Sequence, residues 1–293
     1  MGIRVLDFWV LKAGRELADR FGGFMREIKL RTSQRPRPFP TGRWASTQRW
    51  NDLLFAHWNV PTSSIAPFLP EGLVPDTFQG SAWLGVVPLW TDRFTFRGVP
   101  SIPGARRFPE LHFRTYVRDH RTGTPGFYNL SVDIGNLVAT MALRFVNQIP
   151  CHWAEMTLSQ RSEREFEFRS RRRFSKHTAI FNARYRGLGP TRKLADIRSG
   201  SLEYFLTERY CLFATNRDGQ AMRANIHMVS SPLEDAEADI ERNELPASIG
   251  IEIPAQEPVL YYSRRLAVYV WPAEVAEPAR RRQRIPAQAV PSV

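Results

Sequence analysis

Glu110, His112, Arg114 and Tyr116 alternate with Leu111, Phe113, Thr115 and Val117. In a β-strand successive side chains point to opposite faces, so the four functional groups share one face and the apolar set the other. A carboxylate, an imidazole, a guanidinium and a phenol on one surface could hold a small polar substrate if that face lines a cavity. The same alternation equally describes the solvated side of a half-buried sheet.

Pro150-Cys151-His152 follows a helical pattern and supplies a second candidate group. His152 could act as a general base with Glu110 as its partner and Arg114 as a carboxylate anchor. Adjacent strand residues face opposite ways, so Cys151 and His152 would not share one surface, and a packed thiol is the plainer role for Cys151. Glu208 and Arg209 lie in Thr207-Glu208-Arg209-Tyr210 at the end of a short helical pattern. They are candidates for substrate contact, or for an ion pair that fixes the helix. Arg223, Asn225 and His227 alternate on a later strand and face either the same space or water.

Other chemistries lack sequence support. There is no Gly-x-Gly-x-x-Gly after a strand, no Walker-type Gly-Lys-Ser/Thr and no Gly-x-Ser-x-Gly elbow. The six histidines show no His-x-x-x-His spacing, the two cysteines no Cys-x-x-Cys, and Glu110-x-His112 and Cys151-His152 are the only tight groupings. Neither a metal nor a cofactor is expected.

The elements that must position these residues read as short strands and turns. Residues 52–60 are an apolar run, followed by a capped turn and short helix through Phe68. Residues 74–78 and 81–89 flank Gln79-Gly80 as a hairpin, and 109–118 and 127–133 flank a glycine-containing loop as another. The spacing predicts a helix over 136–148, with Leu137, Met141, Phe145 and Ile149 on its apolar side. A strand over 163–174 carries Phe166 and Phe168 opposite charges, and residues 202–209 read as helix. Residues 211–214 and 221–228 form a hairpin around Asn216-Arg217-Asp218-Gly219, and 259–262 and 266–271 are the last strands. Successive hairpins with a few helices give an α+β, mainly β, barrel-like domain without the alternation of a doubly wound sheet.

The chain has 293 residues and a formal net charge of +12, which resides in its appendages. Residues 1–43 hold ten basic and four acidic side chains, residues 161–176 seven and three, and residues 278–293 four and none. The remaining body is slightly acidic, which argues against nucleic-acid binding, where a basic face of the folded domain is the rule. Residues 3–28 form an amphipathic helical pattern with basic residues between its apolar positions. It suits docking on its own domain or on a second subunit, or contact with an anionic membrane surface. Arg35-Pro36-Arg37-Pro38-Phe39-Pro40 reads as an extended linker, and residues 273–293 as a basic, disordered tail. Two cysteines, no secretory signal and no apolar run of membrane-spanning length point to a cytoplasmic protein, peripheral to a membrane if the first helix binds there.

Five segments together are similar to one bacterial family: Trp50-Asn-Asp-Leu-Leu-Phe-Ala-His-Trp58, Phe68-Leu-Pro-Glu-Gly72-Leu, Phe108-Pro-Glu110-Leu-x-x-Arg114-Thr-Tyr-Val117, Gly200-Ser-Leu-Glu-x-Phe-Leu-Thr-Glu208-Arg-Tyr210-Cys and Arg264-Arg-Leu-x-Val-x-Val-Trp271-Pro. Across residues 44–272 the chain resembles the YqjF-like family, a conserved domain of unassigned function grouped with the acetoacetate decarboxylase-like superfamily. The resemblance implies a β-barrel or cone around a small-molecule cavity, with a few short helices. Decarboxylases of that superfamily use a Schiff-base lysine beside a second lysine, in a Pro-Lys-Lys motif after a helix. Here the corresponding position is Pro150-Cys151-His152, and Lys12, Lys29, Lys176 and Lys193, the only lysines against 37 arginines, have no lysine neighbour. The superfamily's hairpin-strand Glu is similar to Glu110.

Two functions follow as expectations: binding of a small organic molecule in the barrel without lysine chemistry, or acid–base catalysis on a carbonyl or carboxylate compound through Glu110 and His152; behind both stands association of the arginine-rich termini with nucleic acid or a membrane surface. Arg114, Tyr116, Glu208 and Arg209 would contact the substrate, and Trp58, Trp83, Trp90 and Trp153 would furnish an aromatic sleeve for a binder. A homo-oligomer is compatible with either.

Overall fold

The computed structural model describes residues 35–98, 104, 106–146, 151–175, 178–192, 196–230 and 233–276. The predicted helix over residues 3–28 and the tail from 277 onward lie outside them. Thirteen strands and two α-helices follow in order: β1 (Ser46–Val60), β2 (Leu73–Pro75), β3 (Ala82–Phe96), β4 (Arg107–Asp119), β5 (Pro125–Ile134), α1 (Leu137–Val146), β6 (Cys151–Gln160), β7 (Glu165–Arg172), β8 (Ile180–Gly187), α2 (Leu202–Thr207), β9 (Cys211–Thr215), β10 (Ala221–Ser230), β11 (Leu233–Asn243), β12 (Val259–Val270) and β13 (Glu274–Val275).

Strands β12, β1, β3, β4 and β5 form an antiparallel wall whose two outer strands each fork. Along β5, Phe127 and Tyr128 pair with β9, while Val132 to Ile134 pair with β6. Along β12, Leu266 to Val270 pair with β10, while Tyr261 to Ser263 pair with β11. The β9–β10 hairpin therefore closes a seven-stranded ring over one face of the wall. Strands β6, β7, β8 and β11 close a nine-stranded ring over the other. Both faces are buried, and the pleat sorts side chains between two cores. Leu54, Ala56, Trp58, Leu84, Val86, Leu111 and Phe113 meet Phe166, Phe168 and Phe181 in the larger ring. Leu53, Phe55, Trp83, Val87 and Leu89 meet Ile226, Met228 and Val268 in the smaller one.

Local sequence accounts for the connections. Gln79 and Gly80 both take positive φ, and Phe78 and Ser81 bridge across them, so the predicted turn forms. The strand before it does not pair with β3, however. β2 turns away to pair with β4, because Leu73 packs with Val117 and Phe213 in a satellite core. The Asn136 side chain accepts a hydrogen bond from the Ala139 N–H at 2.9 Å and caps α1. The buried side of α1 is Ala139 and Leu143, not the predicted Leu137 and Met141, which are exposed. The two last predicted strands are one continuous β12. Strands β8 and β11 are not among the predicted elements, and β11 (Leu-Glu-Asp-Ala-Glu-Ala-Asp-Ile-Glu-Arg-Asn) is mostly charged.

The domain also reaches beyond the expected limits. β13 pairs with β10, and the Ala276 N–H donates to the Ala221 carbonyl at 2.8 Å, so folded chain continues past residue 273. Arg35, in the expected linker, donates to the Ile226 carbonyl at 2.9 Å and meets His227 Nδ1 at 3.0 Å, and Phe39 packs edge-on against His227 and Trp271.

Closure of the smaller ring rests on the short β5–β9 pairing at Gly126 to Tyr128. A Cβ on Gly126 would lie 2.4 Å from the Cys211 backbone oxygen and 2.7 Å from the Phe213 ring. Gly126→Ala is expected to cost at least about 1–3 kcal/mol, as overpacking against backbone does, measured as a lowered denaturant midpoint relative to wild type.

Candidate functional site

The interior of the smaller ring holds a cavity that opens to solvent. All seven strands of that ring contribute: Ser46, Gln48 and Trp50 of β1, Phe94 of β3, Glu110 and His112 of β4, Phe127, Asn129 and Val132 of β5, Leu212 of β9, Ile226 of β10, and Val268 and Val270 of β12. Leu143 of α1 and Cys151 of β6 add to the lining. Glu110, His112, Arg114 and Tyr116 all point into this ring and are buried, so the solvated reading of their face fails. It fails because the β9–β10 hairpin covers a face that alternation alone would leave to water.

The four groups divide into two centres. Glu110 Oε2 accepts a hydrogen bond from His112 Nε2 at 2.7 Å, and the His112 ring meets Trp50 edge-on at 5.2 Å. Farther along β4, the Tyr116 hydroxyl donates to the Leu206 carbonyl at 2.7 Å. It accepts from His57 Nε2 at 2.6 Å, a residue outside the predicted set. Burial and the Arg114 charge hold His57 well below its ordinary pKa, so this imidazole is neutral. Arg114 is not in the cavity lining; its guanidinium lies 4.9 Å from the Phe127 ring centre and 5.5 Å from that of Phe55.

Cys151 and His152 separate as strand geometry requires. Cys151 faces the cavity, and burial first, then the Glu110 charge, pushes its thiol pKa up, so it stays protonated. His152 is outside the lining and pairs in register with Asp133, not with Glu110. Burial and the charges of Arg172 and Arg144 bring its pKa down to about 4. The imidazole that meets Glu110 is thus His112, for which Glu110-x-His112 was already a sequence signal.

Glu208 and Arg209 also lie outside the lining. Glu208 accepts from the Tyr210 hydroxyl, and Arg209 binds Asp76 Oδ2 at 2.6 Å and the Phe205 carbonyl at 2.6 Å, so no Glu208–Arg209 pair forms. Arg223 pairs with Glu274 and His227 with Arg35, both away from the cavity that Ile226 lines. Trp58, Trp83, Trp90 and Trp153 are likewise absent from the lining, whose aromatic residues are Trp50, Phe94 and Phe127. Sequence reasoning missed Trp50, Asn129 and Phe127, which enter only because strands distant in the chain close one ring. Among the described residues no three His, Cys, Asp or Glu side chains converge as a metal site, and no helix is long and apolar enough to cross a membrane.

The model of the DUF2071 family, described as an uncharacterized conserved protein, matches residues 47–267. The chain belongs to the DUF2071 family. Uncharacterized protein YqjF of Bacillus subtilis is 37% identical over 233 residues, which are 80% of this chain and 93% of the relative. The DUF2071 chain is similar in fold to the enduracididine biosynthesis enzyme MppR, solved in complex with pyruvate, at a TM-score of 0.58 and 13% identity over 82% of this chain and 93% of that one. An acetoacetate decarboxylase-like enzyme from Sphingomonas wittichii gives a TM-score of 0.55 at 13% identity, covering 83% and 99%. Acetoacetate decarboxylase from Legionella pneumophila gives 0.53 at 14%, covering 84% and 93%. The DUF2071 domain thus has the acetoacetate decarboxylase-like fold, and at these identities the likeness is one of fold.

The depressed His152 pKa carries a pH consequence. Between its ordinary value of 6.5 and about 4 the unfolded chain takes up a proton that the folded chain refuses, so this residue withdraws stability as pH falls through that window. His152→Asn is expected to lose less stability than wild type between pH 6.5 and 4, read from urea midpoints across that range.

Proposed function

We propose that this DUF2071 protein binds a small organic molecule inside the seven-stranded ring and forms no Schiff base with it. The observation that carries the reading is the cavity itself: a mostly apolar lining interrupted by a few polar side chains, as ligand pockets are built, with Cys151 among the described residues that form it. Cys151 stands in the lining where the resembling decarboxylases place a lysine, and a protonated thiol cannot condense with a carbonyl to an iminium. The four lysines of the chain all lie outside the described residues. The buried, unpaired Cys151 and Cys211 accord with a reducing, cytoplasmic setting.

One observation favours acid–base chemistry as a second reading, the Glu110–His112 hydrogen bond within the lining. It gives the base's part to His112 in place of His152.

Two measurements test the first reading. Incubation with pyruvate or acetoacetate followed by borohydride is expected to add no mass to the protein; a reduced adduct on any lysine overturns the exclusion of Schiff-base chemistry. The neutral probe 3-methylbutan-1-ol is expected to raise the melting temperature of wild type and to leave that of Ile226→Trp, whose indole fills the cavity, unmoved. Equal shifts in both proteins would place binding elsewhere.

A further inference from the structure

The electrostatic character of the lining is one-sided. Among the described residues that form it, Glu110 is the one acidic residue and none is an arginine. Trp50, Glu110, His112 and Asn129 are 4%, 3%, 5% and 3% exposed. Each keeps a buried polar atom without a partner: Trp50 Nε1, Glu110 Oε1, His112 Nδ1 and Asn129 Oδ1. Buried polar atoms are almost always satisfied in native proteins, so four orphans around one cavity mark where a ligand's polar groups belong. His112 already occupies Glu110 Oε2, which leaves Oε1 for the ligand.

We infer that the cavity takes a small molecule bearing a protonated amine, its ammonium on Glu110 Oε1 and its hydrocarbon part against Phe94, Phe127 and Val268. This deepens, and rests on, the cavity-binding reading above. A carboxylate ligand would meet Glu110 as a like charge and find no arginine among the described lining residues, because the Arg114 guanidinium lies over the Phe127 ring. The protonated Cys151 thiol brings no positive charge toward Glu110. Aromatic faces at Trp50, Phe94 and Phe127 tolerate a cation, which they attract through the ring quadrupole.

The test uses three isosteric probes at pH 7 on the full chain: 3-methylbutan-1-amine, 3-methylbutan-1-ol and 3-methylbutanoate, with affinities from calorimetry. In wild type the amine is expected to bind roughly tenfold tighter than the alcohol, with the carboxylate weakest. Glu110→Gln is expected to abolish the amine's roughly tenfold advantage over the alcohol. A carboxylate that binds tightest, an amine no better than the alcohol, or an amine advantage that survives Glu110→Gln overturns the inference while cavity binding stands. Failure of all three probes on wild type overturns both. If Glu110→Gln does not fold, the wild-type series decides alone.

Discussion

A sheet buried on both faces is the constraint on which this structure depends. Five strands form the wall, and because β5 and β12 fork, one hairpin covers its first face and four strands its second. Hydrogen-bonding capacity on the first face must then be satisfied inside the protein, where an unmade bond costs about 1–3 kcal/mol. Glu110 meets this requirement through His112, and Tyr116 through His57 and the Leu206 carbonyl. Arg114 donates to the Tyr116 hydroxyl at 3.5 Å and spreads its guanidinium over aromatic rings. Trp50 Nε1, Glu110 Oε1, His112 Nδ1 and Asn129 Oδ1, left without partners, belong to side chains that line the cavity, so there the packing constraint and the binding site meet.

Arginines of the same architecture use their fork geometry on its surface. On the outer surface of the larger ring, Arg186 bonds Glu237 across the β8–β11 pair, and Arg161 and Arg169 flank Glu167. Arg192 grips Asp235 through both terminal nitrogens at 2.8 Å, the fork geometry that a lysine ammonium lacks. Among the described arginines of the 161–176 stretch only Arg172 is buried, bonded to Asp133 and Ser131. Two arginines of the stretch thus pair with its own Glu167, and one buried ion pair ties β7 to β5.

Likeness to acetoacetate decarboxylase-like proteins extends to the barrel and leaves the chemistry of its interior to the side chains, since one fold hosts many activities. The DUF2071 chain carries Glu110 and Cys151 in the cavity and sets His112 against Glu110.

The sequence by itself determined the family, the mainly β class, the turns at Gln79-Gly80 and at 216–219, and the common face of Glu110, His112, Arg114 and Tyr116, because turn chemistry and the period of two are local. It could not decide whether that face meets water, since a polar stripe on a strand looks the same with or without a hairpin folded over it. It also misassigned the partner of Glu110. The choice between His112 and His152 depends on the parallel pairing of β5 with β6, which turns Cys151 inward and His152 away. Trp50, Phe127 and Asn129 became lining residues only when strands far apart in the chain closed into a ring. Tertiary structure alone made that choice, because ring closure is a long-range contact to which no short segment is sensitive.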